Sequence, residues 1–186
     1  MIQLHVTKKL LAKLPIDKVG NLPSQVSGLE LVVAGSNLEN PLSGWHGNLI
    51  TLQRRNCIVM VHDATRFPVF LLCLTKPDFA NLQYWFEDAF MNTLLKAGAS
   101  DQQMTTATKL LAKLTIDSVC DRSVQGTLNR IKRDVEHMIW YDDVQVVNLS
   151  GPKVGAWLAS SPCTVKGQKD FIIPNKAMQE LLDEAF

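Results

Sequence analysis

The sequence has little of what marks several common functional classes. Its net charge is only +1, from 19 basic and 18 acidic residues, which argues against a general nucleic-acid surface because such a surface needs clustered positive charge. The longest wholly apolar run, Val69–Leu74, has six residues, whereas a membrane-spanning helix needs about 20. The opening residues lack the basic and then long apolar layout of a signal peptide. We therefore expect a cytoplasmic protein that does not interact with membranes.

The residues that commonly hold metals and cofactors are also few and scattered. Four cysteines lie 16, 47 and 43 positions apart, which excludes a Cys-x-x-Cys redox pair and a zinc-finger spacing. The four histidines show no metal-ligand spacing. Neither a glycine-rich phosphate-binding loop nor a Gly-x-Ser-x-Gly nucleophile elbow occurs. We expect four free thiols, no metal and no cofactor.

What is present is typical of one globular domain. The chain has 186 residues, of which 46% are hydrophobic, enough for a single core without disulfide support. Alternating apolar residues predict a short strand at Ile2–Val6. Three more strands, joined by short polar turns, are predicted at Gly47–Gln53, Cys57–His62 and Val69–Leu74. These three should form an antiparallel meander.

Helical periodicity dominates the remainder of the chain. Helices are predicted from Thr7 to Leu14, after Pro77, from Ser100 to about Leu114, after Asp121, and from Asn175 to Phe186. The tail is predicted to add short strands at Ala156–Ala159 and Phe171–Ile173. The predicted fold class is therefore α+β, with an antiparallel sheet packed against several amphipathic helices in one domain over residues 1–186.

Six short motifs, spread along most of the chain, resemble those of a small bacterial family with no assigned function. They are Thr7-Lys8-Lys9-Leu10, Trp45-His46-Gly47-Asn48-Leu49, Arg54-Arg55-Asn56-Cys57, Asp63-Ala64-Thr65-Arg66-Phe67-Pro68, Asp121-Arg122-Ser123-Val124-Gln125-Gly126 and Ser160-Ser161-Pro162-Cys163. The resemblance implies a single α+β unit. It implies no activity, because the family has none to carry over.

Two charged motifs are candidate binding sites, each with a simpler interpretation. Arg54 and Arg55, at a hairpin turn, are able to grip a phosphate or an acidic partner, although exposed charges at a turn also protect a sheet edge. Asp121 and Arg122 stand at a predicted helix start, where backbone N–H groups attract anions, although Asp121 as an N-cap explains the pattern equally. Gly126, inside that helix, is interpreted as a point of close packing on the sheet, with a ligand as the alternative.

A candidate catalytic group follows from the predicted pairing of the first hairpin. A three-residue turn at Arg54–Asn56 would set Asn48 opposite His62, on one face of the sheet. A histidine held by an amide or carboxylate can act as acid, base or ligand near neutral pH. The residues expected near this pair are Trp45, His46 and Asp63. The alternative interpretation is that Asn48 and Asp63 merely satisfy a half-buried His62.

Two functions from different classes therefore stand beside each other. Because no complete catalytic set follows from local spacing, the first is a non-catalytic binding or protein-interaction module for a protein or small-molecule partner. The second is a small hydrolase or transferase that uses His62 and Asp63 with Asn48, together with Cys57 or Ser123. The sequence leaves a homo-oligomer open.

Overall fold

The computed structural model describes residues 1–23, 40–165 and 170–185. Its main sheet contains β1 (Ile2–Val6), β2 (Trp45–Leu52), β3 (Arg55–His62), β4 (Pro68–Leu74) and β5 (Leu114–Asp117). They lie in the order β4-β3-β2-β1-β5. The strands β2, β3 and β4 form the predicted antiparallel meander, and β1 runs parallel to both β2 and β5. The α+β class is therefore confirmed, with a sheet that is mixed rather than wholly antiparallel.

Seven α-helices, a 3₁₀ turn at Val146–Asn148 and a small ribbon complete the described part of the chain. The helices are α1 (Lys8–Leu11), α2 (Lys76–Ala80), α3 (Leu82–Lys96), α4 (Asp101–Leu110), α5 (Arg122–Tyr141), α6 (Gly151–Ala159) and α7 (Pro174–Glu184). The ribbon pairs β6 (Cys163–Thr164) with β7 (Phe171–Ile172). Within the described ranges, no helix combines the length and the apolar character needed to cross a membrane.

The two faces of the sheet bury separate apolar cores. On one face, Trp45 packs edge-on against Phe86 and Phe90 of α3, at centroid distances of 5.1 and 5.6 Å. On the other face, α5 covers β2 and β3 with the stripe that its 3.6-residue period predicts. The buried members of that stripe are Val124, Thr127, Leu128, Ile131, Val135 and Ile139.

Four predicted elements differ in the structure. The single helix predicted after Pro77 is divided at Asn81 into α2 and α3. The helix after Thr7 ends at Leu11, and the side chain of Thr7 does not cap it. The helix that starts with the Ser100 capping box ends at Leu110, so that Leu114 begins strand β5 instead. Residues 156–159 are not a strand but the last turn of α6, because a proline in the first turn of a helix is well tolerated and nucleates it.

The four cysteines are free in the structure, in agreement with their spacing. Cys57 and Cys163 are buried, and Cys120 is exposed. Burial raises the pKa of the Cys57 and Cys163 thiols, so both are neutral near pH 7 and behave as small apolar side chains.

Candidate functional site

A row of polar side chains crosses three neighbouring strands on the face that α5 covers. In the parallel pairing, His5 of β1 is the partner of His46 on β2 and of Asp117 on β5. Because partners in neighbouring strands point to the same face, the three side chains are neighbours. The imidazole centroids of His5 and His46 lie 4.8 Å apart, with the rings tilted by 48°.

The first imidazole of the row forms a dyad with a carboxylate. Nδ1 of His5 lies 2.6 Å from Oδ1 of Asp117. Asp117 also accepts hydrogen bonds from Nε2 of Gln3 at 3.0 Å and from the backbone N–H of Val119 at 2.9 Å. The carboxylate is thus held from three sides, and it fixes the plane and orientation of the His5 ring.

The second imidazole is bonded at both ring nitrogens. Nδ1 of His46 lies 2.6 Å from Oδ1 of Asp63, and the backbone N–H of Asp121 donates to Nε2 of His46 at 2.9 Å. Since a backbone N–H only donates, Nε2 must be the unprotonated nitrogen, and Nδ1–H therefore donates to Asp63. His46 is fixed in one neutral tautomer and ties the start of α5 to the sheet.

A buried guanidinium joins this row to α5. Arg66, only 4% exposed, donates through Nη1 to the carbonyl of Asp63 and through Nη2 to Oγ of Ser123 at 3.2 Å. Its Nε is buried without a hydrogen-bond partner among the described residues. The backbone of Arg66 has φ +60°, a value that is uncommon for a residue other than glycine. The turn after β3 therefore holds this side chain inward against α5.

The predicted N-cap of α5 is confirmed. Oδ1 of Asp121 accepts from the backbone N–H groups of Ser123, at 2.6 Å, and Val124, at 3.3 Å. These two hydrogen bonds, and then the charge of Arg66, lower the pKa of the Asp121 carboxyl. Because the carboxylate already occupies the helix start, an external anion has no access to those N–H groups.

Replacing this cap should cost stability. Asp121→Ala is expected to lower the free energy of unfolding by about 1 kcal/mol, because two N–H groups lose their acceptor. Urea denaturation measures the change. Asp142→Ala, at the C-cap of the same helix, removes the same charge but keeps the capping bond, which its backbone N–H donates to Met138, and is expected to change stability by less than about 0.5 kcal/mol. Equal effects of the two variants would contradict the capping role.

Beside this cap, a groove of about 340 Å³ runs along α5 toward strand β6. Arg122, Gly126 and Arg130 follow one another at intervals of four residues and therefore share a helix face. The remaining lining residues are Ser123, Thr127, Cys163, Thr164 and Val165. A side chain at Gly126 would meet nothing within 4 Å, so the predicted close packing of this glycine on the sheet is wrong. Its missing side chain leaves the middle of the groove open.

The predicted pairing of Asn48 with His62 is wrong. The hairpin closes through Gln53 and Arg54, both with positive φ, in the manner of a two-residue type I′ turn. His62 consequently pairs with Trp45, and Asn48 pairs with Val59. The side chains of Asn48 and His62 therefore point to opposite faces of the sheet, and the oxygen of Asn48 accepts from Thr7 instead.

His62 and Trp45 belong to the core. Both are 0% exposed, and their ring centroids lie 5.1 Å apart. His62 bonds Thr65 through Nδ1 and the carbonyl of Ser43 through Nε2, so it is a satisfied core histidine, but its partners are not the predicted Asn48 and Asp63 and it is fully rather than half buried. Cys57 is also buried, and it pairs with Ile50 in the middle of the hairpin. None of these three side chains can reach a ligand in this fold.

The structure divides the other candidate residues between two places. It brings together Asp63, His46 and Asp121 around the polar row, with Arg122 at the adjoining groove. Arg54 and Arg55 are exposed at the far end of the hairpin. At about 3.3 Å per strand residue, they lie about 20 Å from His46.

Four residues of the polar row and the groove were not predicted from the sequence, namely His5, Asp117, Arg66 and Arg130. The one signal for His5 in the sequence was its position in the alternating strand Ile2–Val6, where polar residues lie on the face opposite to the apolar ones.

In the described residues, no group of three or more His, Cys, Asp or Glu side chains is placed to hold a metal ion.

The chain matches the family described as Domain of unknown function (DUF6933) over residues 3–177. Among curated proteins and among solved structures, none matches the chain. Since the match spans nearly its whole length, the chain belongs to the DUF6933 family.

Proposed function

We propose that this protein is a binding domain that holds a small phosphate-bearing molecule in the groove along α5. The observation that carries the proposal is Gly126. A glycine inside a helix costs about 1 kcal/mol relative to alanine, and at this position no neighbouring atom requires the absence of a side chain. The space that it leaves lies between Arg122 and Arg130, and a ligand between the two guanidinium groups accounts for it.

The charge of the groove supports an anionic ligand. Two arginines line it, and none of its lining residues is a carboxylate. Arg130 is held in place because Nη1 donates to the carbonyl of Pro162 at 2.9 Å. Its Nε is enclosed by the protein and lies 3.9 Å from Oδ2 of Asp134, so a ligand is expected to meet the terminal nitrogens of Arg130. Guanidinium groups with unused N–H donors bind phosphate and carboxylate oxygens in a bidentate manner.

The remaining polar atoms of the groove are suited to the same ligand. Oγ of Ser123 accepts from Arg66, which leaves the hydroxyl hydrogen of Ser123 able to donate. Thr127 adds a second, largely buried hydroxyl. The raised pKa of the buried Cys163 thiol keeps that side of the groove uncharged. A volume of about 340 Å³ is at the lower end for small-molecule sites, which favours a small molecule over a protein segment.

Calorimetric titration with inorganic pyrophosphate tests the proposal. The wild-type protein is expected to bind, and the double variant R122Q/R130Q is expected to lose at least about 100-fold in affinity, because two charge-assisted hydrogen bonds contribute about 1.5–3 kcal/mol each. The charge-matched control is R54Q/R55Q, which removes two exposed arginines from the hairpin tip and is expected to change affinity less than about threefold at 0.15 M salt.

Three results would contradict the proposal. The first is no binding of pyrophosphate to the wild-type protein at millimolar concentration. The second is an equal loss for the two double variants, which would indicate nonspecific attraction. The third comes from Gly126→Leu, which keeps every charge but fills the groove; unchanged affinity in this variant would place the ligand elsewhere.

A further inference from the structure

The His5–Asp117 dyad offers something that the groove does not, namely a basic nitrogen without a partner. With Nδ1–H donated to the Asp117 carboxylate, the neutral imidazole carries its lone pair on Nε2. Among the residues that the structure describes, none hydrogen-bonds this atom. The side chain of His5 is 18% exposed, so solvent reaches part of the imidazole that Asp117 holds in place.

His46 serves as an internal comparison for His5. Both imidazoles bond a carboxylate through Nδ1 at 2.6 Å. In His46, however, Nε2 accepts from the backbone N–H of Asp121, and 6% of the side chain is exposed. Both ring nitrogens of His46 are therefore used to hold α5 against the sheet, whereas Nε2 of His5 has no hydrogen-bond partner among the described residues.

We propose that His5 is the general base of a hydrolytic site for uncharged carboxylic esters, with Asp117 as its positioning residue. This inference goes beyond ligand binding in the groove and does not rest on it. The charge around the dyad selects the substrate class. The carboxylates of Asp117 and Asp63 lie directly against the two rings, and the single guanidinium of Arg66 beside them leaves the net charge negative, so an anionic ester is repelled and an uncharged one is not.

The step consumes one water and one ester. The lone pair on Nε2 of His5 takes a proton from the water as the water oxygen forms a bond to the carbonyl carbon, and the carbonyl π pair moves onto its oxygen. When that pair returns, the bond to the leaving oxygen breaks, and the proton on Nε2 passes to the departing alkoxide. Asp117 stabilises the imidazolium that exists between these events, as the carboxylate does in other His–Asp arrangements.

Hydrolysis of p-nitrophenyl acetate by the purified full chain tests this proposal. The wild-type protein is expected to accelerate it above the buffer rate, and His5→Gln is expected to remove at least about 100-fold of that acceleration. His137→Gln is the matched control, because His137 is exposed on α5 and measures the background activity of any surface imidazole. Thermal unfolding of each variant shows whether it is folded.

Two further readouts separate catalysis from a structural role. The wild-type rate is expected to fall about two- to threefold in D₂O, since a proton moves in the rate-limiting step, and Asp117→Asn is expected to lower kcat while the protein stays folded. Absence of activity above buffer, an equal loss in His137→Gln, or no solvent isotope effect would overturn the proposal. A larger acceleration over the buffer rate for the anionic bis(p-nitrophenyl) phosphate than for the acetate would overturn the substrate class.

Discussion

Lowering the pH from 7 to 4 is expected to remove about 3 kcal/mol of stability through His62 alone. Burial lowers the pKa of this histidine from 6.5 to about 4, against smaller opposing effects of Asp63 and of the Ser43 carbonyl, while Arg66 lowers it further. In the unfolded chain the pKa returns to about 6.5. Between these values the unfolded state binds a proton that the folded state does not, so stability rises with pH. The contribution is complete above about pH 6.5 and is lost progressively toward pH 4.

The difference between wild type and His62→Gln isolates this contribution from the other groups that titrate in the same range. Urea denaturation at a series of pH values should show a steeper acid loss for wild type than for His62→Gln, which has nothing to protonate at this position. His137→Gln, at an exposed site, should retain the wild-type slope. Equal slopes for wild type and His62→Gln, or an NMR titration of His62 centred above pH 6, would contradict the buried neutral state.

The local features of this fold could be predicted from the sequence because their causes are local. Two helix starts depend only on hydrogen bonds between residues at most three positions apart. They are the capping box of Ser100 and Gln103 and the N-cap at Asp121. The same holds for the short apolar segments and polar turns that mark β2, β3 and β4. The fold class followed from these elements, since three strands with short turns can pair only in antiparallel order.

The register of the hairpin could not be predicted from these strand patterns. It depends on the turn, and the Gln53-Arg54 turn lacks the Asn-Gly or Asp-Gly pair by which type I′ turns are usually identified. A turn of two residues instead of three changes which residues face each other and reverses the face that each side chain shares with its partner. That one difference separated Asn48 from His62 and removed the predicted catalytic pair.

The polar row was missed for a different reason, because it depends on parallel pairing between distant segments. Strand β5 begins soon after α4, and its first residue, Leu114, was predicted to be the end of that helix, so no strand was expected there. Asp117 is 112 residues away from His5, and no local pattern relates the two. The one part of this region that the sequence indicated correctly was the start of α5, which supplies the backbone N–H that His46 accepts.

Adding one methyl group at Gly151 is expected to destabilise the protein by about 3 kcal/mol. Gly151 begins α6, which packs on β4. A Cβ at this position would lie 2.3 Å from the backbone carbonyl oxygen of Phe70, a separation that real atoms do not adopt. The helix must move away from the sheet to relieve the contact, and the buried side chains of Val154 and Leu158 lose packing with it. Overpacking of a well-filled interior typically costs about 1–3 kcal/mol, and contact with a rigid backbone belongs at the upper end.

Gly126→Ala is the matched control for Gly151→Ala, and its expected effect has the opposite sign. Both substitutions add a single methyl group to a helical glycine, but at Gly126 the new atom meets open space. The helix interior should then gain about 1 kcal/mol from the better propensity of alanine. Urea denaturation of the two variants beside wild type measures both changes. Destabilisation by Gly126→Ala would mean that this position is packed after all, and a neutral Gly151→Ala would mean that α6 does not approach β4 so closely.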